Sequence, residues 1–257
     1  MERFSRTQRL LGNDSFGRLQ NRSVTVVGLG AVGGYVVEGL ARAGVSNLRI
    51  VDFDTIQPTN INRQILALET TLGRPKAEAA LERIKAINPS CNVESLQMFT
   101  AEETLEAILS PRPDLLIDAI DSLNPKVQLL VGAYQRAIPT LSSMGAALRT
   151  DTTKIRIGDI FETTVCPLAK HVRKRLRRRG VGKGIRCIYS NQKVDFDYTQ
   201  ENEESRVGET PHSDRGRERN VLGSLPTITG IFGLTIANEA ITILASEEGP
   251  YFTGDRL

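Results

Sequence analysis

The sequence of 257 residues contains no tryptophan, few aromatic side chains and few residues with a thiol or an imidazole. Its two histidines, His171 and His212, fall in a cationic segment and in a polar segment, so we do not expect a histidine-based catalytic centre. The three cysteines (Cys91, Cys166 and Cys187) form no CxxC pair, which excludes a structural zinc site with four cysteine ligands. An odd, sparse cysteine count without a signal peptide predicts a cytoplasmic protein without disulfides.

Long uninterrupted hydrophobic runs and a large excess of charge are also missing. The net charge is only +3, which by itself indicates no class of partner. The most apolar long segment, 225–244, is interrupted by Pro226, Asn238 and Glu239, so it predicts a packed helix and not a transmembrane span. A hydrophobic fraction of 40% is sufficient for the core of one α/β domain that spans residues 1–257.

Strand and helix patterns alternate along the first 145 residues. This alternation predicts an α/β fold with a Rossmann-like, mostly parallel sheet that has helices on both faces. This predicted fold is extended by an antiparallel edge strand at 154–157 and by a C-terminal helix at 225–245. The polar residues 1–22 are expected to be helical, with Leu10 and Leu11 as apolar anchors. The predicted strands are 23–27, 47–51, 92–98, 115–120 and 139–142, and the predicted helices are 31–43, 76–87, 102–109 and 125–137.

Residues 160–224 are predicted to be an insertion composed of a basic helix and a mobile polar loop at 195–220. Between Lys170 and Arg179 there are seven cations and no acid. Leu168, Val172 and Leu176 recur every four residues and would dock this helix. A charge run is usually a solvated surface, but uncompensated cations repel each other, which favours contact with a nucleic-acid backbone. The candidate RNA contacts are Lys170, Arg173, Lys174, Arg177 and Arg178.

A glycine-rich turn follows the first predicted strand and opens a helix, which is the context that a nucleotide-binding fingerprint requires. It reads Gly28-Leu29-Gly30-Ala31-Val32-Gly33. Glycines there let the backbone approach phosphates, and a helix N-terminus favours anions. Asp52, near the end of the second strand, can bind ribose hydroxyls. The simpler alternative is a tight packing turn between strand and helix.

Further polar residues follow at the carboxyl edge of the predicted sheet, where ligands bind in open α/β sheets. Arg63 can bind phosphate oxygens with two donors, and Lys76 can place a compact charge at the start of a helix. Asp54 is either a turn residue or a group near metal or phosphate. Asp121, after the fourth strand, can reach a magnesium ion that bridges phosphates. A nicotinamide site would leave these side chains without a role.

The order GxGxxG, DxD, NxNRQ, GxxK and DAxD resembles the ubiquitin-activating-enzyme-like adenylyltransferases, which activate carboxylates with ATP. The resemblance implies a homodimer in which an N-terminal arginine, Arg6 or Arg9, reaches the partner's site. It also implies catalytic roles for Arg63, Lys76 and Asp121, with Asp121 as the magnesium ligand. The residues expected at the nucleotide are Gly28, Gly30, Ala31, Gly33, Asp52, Asp54, Asn60, Arg63, Gln64, Lys76 and Asp121.

Finer details resemble the branch of that superfamily that dehydrates threonylcarbamoyladenosine in tRNA. The segments that carry this resemblance are 59–68, 76–78, 83–89, LIDAIDS, PLA from Pro167 and the run CIYS at 187–190. The resemblance implies that MgATP activates the carboxylate on adenosine 37, whose ring closure then removes water. Whether the intermediate is an acyl-adenylate or an acyl-phosphate stays open, as does a sulfur-transfer accessory partner.

Three other functions agree less well with these motifs. Adenylation of the C-terminus of a sulfur-carrier or ubiquitin-like protein is disfavoured because the zinc cysteines are missing and a basic helix is present. A nicotinamide oxidoreductase does not explain Arg63 and Lys76, and a non-catalytic tRNA-binding protein does not explain the intact motif set. Cys187 could in principle form a thioester, but a lone cysteine in an apolar run is more often a small core residue.

Overall fold

The computed structural model describes residues 2–194 and 222–249. Within them, seven strands form one sheet in the order β3-β2-β1-β4-β5-β7-β6. All neighbouring strands are parallel except β6 and β7, which are antiparallel. The predicted loop at 195–220 lies outside the described residues. The strands are β1 (Ser23–Val27), β2 (Asn47–Val51), β3 (Asn92–Leu96), β4 (Leu115–Asp118), β5 (Thr140–Ser143), β6 (Ile155–Asp159) and β7 (Ile185–Ser190).

Helices cover both faces of the sheet, so the predicted α/β architecture is confirmed. The closing helix, the basic helix and the antiparallel edge strand all lie in the regions where the sequence predicted them, with shifts of a few residues at their ends. The helices are α1 (Ser5–Leu11), α2 (Asn13–Asn21), α3 (Gly33–Ala43), α4 (Lys76–Ile87), α5 (Leu105–Leu109), α6 (Leu123–Gln135), α7 (Pro167–Arg177) and α8 (Pro226–Ala245).

The apolar helix α8 lies in the core, as its interrupted sequence predicted. It is long and apolar enough to cross a membrane by composition, but it packs along α3. A Cβ atom added at Gly39 would lie 2.7 Å from Ala237, and one added at Gly233 would lie 2.5 Å from the carbonyl oxygen of Val32. Such close approach needs glycine on both helices. The start of α3, and with it the glycine turn, is therefore held against α8.

The N-terminal helices are anchored differently from the prediction. Leu10 is 86% exposed, so its proposed role as an anchor is wrong, whereas Leu11 does pack against the core. The anchors are instead Phe4 and Phe16, whose ring centroids are 6.3 Å apart, together with the fully buried Leu19. Periodicity alone did not distinguish the two faces of this short polar helix.

A fully buried ion pair joins the carboxyl end of β4 to α6. The Nζ atom of Lys126 lies 2.5 Å from Oδ2 of Asp118, and neither side chain is exposed to solvent. The same carboxylate oxygen accepts from Oγ of Ser142 on β5 at 2.6 Å, and its other oxygen accepts from the backbone of Ile120. The pair therefore fixes the ends of two adjacent strands at the edge where ligands are expected.

Removing one partner of this pair is expected to destabilise the protein strongly, because the other charge would stay buried without compensation. Lys126→Met should lower the free energy of unfolding by about 3–5 kcal/mol, measured by urea unfolding followed by circular dichroism. Replacing both partners (Lys126→Met with Asp118→Asn) should recover part of the loss. The matched control is Lys183→Gln, which breaks the exposed pair with Glu162 and should change the unfolding midpoint little. Equal midpoints for Lys126→Met and Lys183→Gln would contradict this.

Candidate nucleotide-binding site

Packing by itself requires two glycines of the turn after β1. Gly28 has a φ of 91°, and a Cβ atom there would lie 2.8 Å from the carbonyl oxygen of Ala119. A Cβ atom at Gly33 would lie 1.8 Å from the carbonyl oxygen of Gly28. These contacts let α3 begin directly against the ends of β1 and β4. The simple alternative, a tight packing turn, therefore accounts for Gly28 and Gly33.

Gly30 is different, because packing does not explain it. A Cβ atom there would meet nothing closer than Nε2 of Gln64, at 3.9 Å. The side chain of Gln64 is buried, and no described residue donates a hydrogen bond to its Oε1 atom. A buried acceptor without a donor is unfavourable unless a ligand or water supplies one. The open space at Gly30 and this amide together fit a bound molecule.

The start of α3 also suits an anion. Its N-cap, Val32, has no side chain that can accept from the first turn of the helix. Backbone N–H groups at such a helix end, together with the helix dipole, attract phosphate oxygens. The turn that contains Ala31 thus presents backbone donors beside the open space at Gly30.

Asp52 ties the end of β2 to the glycine turn. Its Oδ2 atom accepts from the backbone N–H of Leu29 at 2.7 Å, and its Oδ1 atom accepts from that of Asp54 at 2.8 Å. Burial raises the pKa of the Asp52 carboxyl above its ordinary value, and the nearby charge of Lys76 opposes this rise. The carboxylate therefore lies at the turn, where ribose binding was predicted.

Lys76 begins α4 and is held by Asp54. Its Nζ atom lies 3.0 Å from Oδ2 of Asp54, and the Lys76 side chain is only 7% exposed. The backbone N–H of Lys76 also donates to the carbonyl oxygen of Asp54 at 2.9 Å. Asp54 is thus the ion-pair partner of the predicted phosphate-binding lysine, an arrangement that the sequence did not suggest.

The loop that carries Asn60 and Arg63 is shaped by its own side chains. The buried Asn60 accepts from the backbone N–H of Gln57 through Oδ1. Arg63 is partly exposed, and its Nη1 atom donates to the carbonyl oxygen of Thr59 and to Oδ1 of Asn62, both at 2.8 Å. The guanidinium is therefore held in place on one side of this loop.

Asp121 is exposed in the segment between β4 and α6, and its Oδ1 atom accepts from the Ser122 hydroxyl at 3.3 Å. Among the described residues, no group of three histidine, cysteine or acidic side chains could hold a metal. Mg²⁺ often uses one or two protein carboxylates plus substrate phosphates, so the single carboxylate of Asp121 is compatible with magnesium that arrives with a nucleotide. Arg6 and Arg9 are both exposed on α1.

The basic helix α7 docks through its predicted apolar stripe. Val172 and Leu176 are fully buried, Ala169 joins them, and Leu168 packs at the edge. Four of the five candidate RNA contacts are exposed: Lys170, Lys174, Arg177 and Arg178. Arg173 is instead partly buried and donates to the carbonyl oxygen of Thr163 at 2.8 Å.

Another contact brings α7 close to the predicted magnesium ligand. The guanidinium of Arg175 donates to the side chain of Asn124 in the first turn of α6. Asn124 lies three residues after Asp121, so the cationic helix borders the same edge of the sheet as the candidate nucleotide site.

Cys187 lies inside β7 and is fully buried. Burial raises the pKa of its thiol far above the ordinary value. A buried, protonated thiol is a poor nucleophile, so the structure agrees with the core role and not with a thioester. Sequence reasoning missed the buried Arg149, because nothing in the run around it distinguishes it from a surface arginine.

Comparison with known proteins gives one consistent result. The model of the ThiF family matches residues 4–257. The chain is 42% identical to a tRNA threonylcarbamoyladenosine dehydratase of Bacillus subtilis over 192 residues, 75% of this chain and 76% of that protein. It is 31% identical to the Escherichia coli protein of the same name, over 93% of this chain and 92% of the relative.

Solved structures agree in fold. The crystal structure of the E. coli dehydratase TcdA in complex with ATP superimposes with a TM-score of 0.82 at 31% identity, covering 95% of this chain and 93% of that one. A molybdopterin-synthase adenylyltransferase of E. coli is 35% identical, but over only 59% of this chain and 60% of its own length.

Two glycine substitutions should separate ligand contact from packing. Gly30→Ala is expected to fold with an unchanged melting temperature but to lose at least tenfold in ATP affinity, since its added methyl group enters open space beside Gln64. Gly33→Ala should lower the melting temperature strongly, because its methyl group overlaps the carbonyl of Gly28. Thermal unfolding and ATP titration by calorimetry measure both. Unaltered ATP binding by Gly30→Ala would show that the open space is not the nucleotide site.

Proposed function

The chain belongs to the ThiF family, and from this we propose that it catalyses the ATP-dependent dehydration of threonylcarbamoyladenosine at position 37 of tRNA. It is an ATP-dependent, ligase-type tRNA-modifying enzyme. The observation that carries the proposal is similarity to relatives that bear this name, which for the E. coli relative extends over nearly the full length of both chains. The open, donor-rich turn at Gly30 supports the use of ATP.

The proposed chemistry begins with a carboxylate, which is a poor electrophile until ATP converts one of its oxygens into part of a leaving group. Lys76 and Arg63 would stabilise the negative charge that develops on the transferred phosphate. A nitrogen or oxygen of the same modified base then attacks the acyl carbon and closes a ring, the attacking part of the base loses one proton, and phosphate or AMP leaves with the carboxylate oxygen. The net result is the loss of one water. Because the attacking group and the acyl carbon belong to the same molecule, their proximity makes a strong general base unnecessary.

Buried contacts around Lys76 support its role. Its ion pair with Asp54 holds the ammonium at the start of α4, on the same side as the glycine turn and Asp52. Because the ammonium is already held in position, it needs little reorganisation when a phosphate group binds. Asn60, Gln64 and the backbone of Gly28, Gly30, Ala31 and Gly33 would complete the nucleotide contacts.

Asp121 would hold magnesium together with the phosphates of ATP. Magnesium bound there would supply positive charge that lowers the energy of the phosphate oxygens in the transition state. Asp121 fits because it is an accessible carboxylate at the carboxyl end of the sheet, next to the glycine turn.

We also propose a cytoplasmic homodimer in which Arg6 or Arg9 of one protomer reaches the ATP site of its partner. Supporting this, Leu10 on α1 and Ile231 and Leu234 on α8 are large hydrophobic side chains that the described part of the chain leaves exposed. All three cysteines are free thiols, as expected in a reducing compartment. A sulfur-transfer accessory protein is the further partner that we propose for this system.

The alternative function is activation of the C-terminus of a sulfur-carrier or ubiquitin-like protein. The similarity to molybdopterin-synthase adenylyltransferases favours it, but that similarity is confined to about three fifths of each chain. The cationic face of α7 has no evident role in such a reaction. A partner ending in Gly-Gly that becomes adenylated by this protein would favour the alternative.

Mass spectrometry of nucleosides tests the function and Lys76 together. Threonylcarbamoyladenosine-containing tRNA, incubated with the protein and MgATP, should yield a nucleoside lighter by one water. Lys76→Ala should abolish both this product and ATP turnover because the phosphate-binding charge is lost, while tRNA binding is retained because the cations of α7 are unchanged. Lys85→Ala, on the exposed face of the same helix, is the matched control and should keep full activity. Product formation by Lys76→Ala would contradict the site, and no product with the wild type would contradict the function.

The exposed cations of α7 should control tRNA affinity and not ATP affinity. Replacing Lys170, Lys174 and Arg178 with glutamine should weaken tRNA binding, and each lost phosphate contact should reduce the slope of log affinity against log salt by about one. Fluorescence anisotropy over a salt series measures this slope. The control, Lys154→Gln, removes one cation beside β6. An unchanged salt dependence in the triple variant would mean that α7 does not contact RNA.

A further inference from the structure

A cavity of about 460 Å³ lies at the carboxyl ends of β5 and β7, apart from the glycine turn. Its walls come from the loop after β5, the residues after β7 and the approach to α8. Arg149, Gln192, Lys193 and Leu225 are among the residues that line it, and among the described residues none that lines it is acidic. The proposed mechanism uses none of these side chains.

Arg149 is the unusual residue of this cavity. Only 3% of it is exposed, and no described residue accepts a hydrogen bond from its Nε or Nη1 atoms. A guanidinium stays charged at every accessible pH. Burying it with unused donors is strongly unfavourable unless an acceptor is supplied. Arg149 is one of the residues that line the cavity, so an acceptor bound there would lie beside this side chain.

The loop that holds Arg149 is built firmly. The preceding residue, Leu148, has a φ of 61°, which is unfavourable for a leucine, and its N–H donates to the carbonyl oxygen of Gly223 at 2.9 Å. On the other side, Oε1 of Gln192 accepts from the backbone N–H groups of Thr150 and Asp151. Strained backbone that is held from both sides is typical of binding sites.

The positive charges around the cavity favour an anionic ligand. Lys193 adds a second cation to its wall, and α8 begins directly after Leu225, whose side chain cannot cap the helix. The positive end of that helix dipole therefore faces the same region. With two cationic side chains, a helix N-terminus and no acid among the described lining residues, an oxyanion is the ligand that this chemistry recognises.

The cavity lies on the side of the sheet where a substrate would approach the ATP site. β5 is the neighbour of β4, which leads to Asp121, and β4 is the neighbour of β1, which leads to the glycine turn. Adjacent strands are about 5 Å apart and β7 is the third strand from β1 in the sheet, so the ends of β1 and β7 are separated by about 15 Å. A short stretch of one RNA chain can span this distance.

We propose that this cavity is an oxyanion subsite for the RNA substrate, with Arg149 as its principal binding residue. The proposal rests on the proposed function. The oxyanion is either a phosphodiester beside the modified nucleotide or the carboxylate of its threonylcarbamoyl group. Bound there, it would orient the modified base toward the phosphates of ATP.

The test compares Arg149→Gln with the wild type, using anticodon stem-loop RNA with and without the threonylcarbamoyl group. Anisotropy should show at least a tenfold loss of RNA affinity, while calorimetry should show unchanged ATP affinity. A loss with both RNAs identifies the phosphodiester, and a loss with the modified RNA alone identifies the carboxylate. Arg156→Gln, an exposed arginine on β6, is the control and should bind both RNAs normally.

RNA affinity that is unchanged in Arg149→Gln, for both RNAs, overturns the proposal and leaves Arg149 with a structural role. If Arg149→Gln does not fold, Arg149→Met decides, because it removes both the charge and the donors while filling a similar volume; unchanged RNA affinity in that variant also overturns the proposal.

A separate measurement distinguishes this failure from failure of the proposed function. Inorganic phosphate should raise the melting temperature of Lys76→Ala, in which the nucleotide site is impaired, and should not raise that of the double variant with Arg149→Gln. This holds whether or not the wild type dehydrates tRNA. An equal shift in both proteins would mean that phosphate does not bind at Arg149, and the proposal would fail while the function stood.

Discussion

The close backbone contact between Gly28 and Gly33 is the constraint on which the candidate site depends. It lets α3 begin directly over the ends of β1 and β4, so that a helix N-terminus and the carboxyl edge of the sheet share one space. Neither residue can carry a side chain, because the carbonyl oxygens of Gly28 and Ala119 already occupy those positions. Only Gly30, between them, leaves room for a ligand.

Buried and partly buried ion pairs then position the groups around this turn. Asp54 holds the ammonium of Lys76 at the start of α4, and Asp118 with Lys126 fixes the ends of β4 and β5 without any exposure to solvent. Asp52 contributes through backbone hydrogen bonds to Leu29 and Asp54. These acids act mainly by orienting backbone and cations, which preorganises the edge for negatively charged ligands.

Positive charge is used in two ways on the substrate side. On α7, several exposed cations form a surface that can follow a phosphate backbone without reading sequence. In the cavity after β5, a single buried arginine lines a confined space. The first arrangement suits affinity for a large polyanion, and the second suits the orientation of one group within it. The contact of Arg175 with Asn124 places the first of these, α7, beside the candidate nucleotide site.

Local patterns in the sequence determined the alternation of strands and helices, the end of α3 at residue 43, and the set of residues at the carboxyl edge. They succeeded because periodicity and glycine or proline signals act over a few residues. They failed for Leu10, whose exposure depends on which face of α1 meets Phe4 and Phe16. Tertiary structure alone decided that Asp54 pairs with Lys76, that Gly33 serves packing whereas Gly30 leaves open space, and that Arg149 is buried. Each of these depends on atoms far apart in the chain, and burial and charge pairing arise only when distant segments meet.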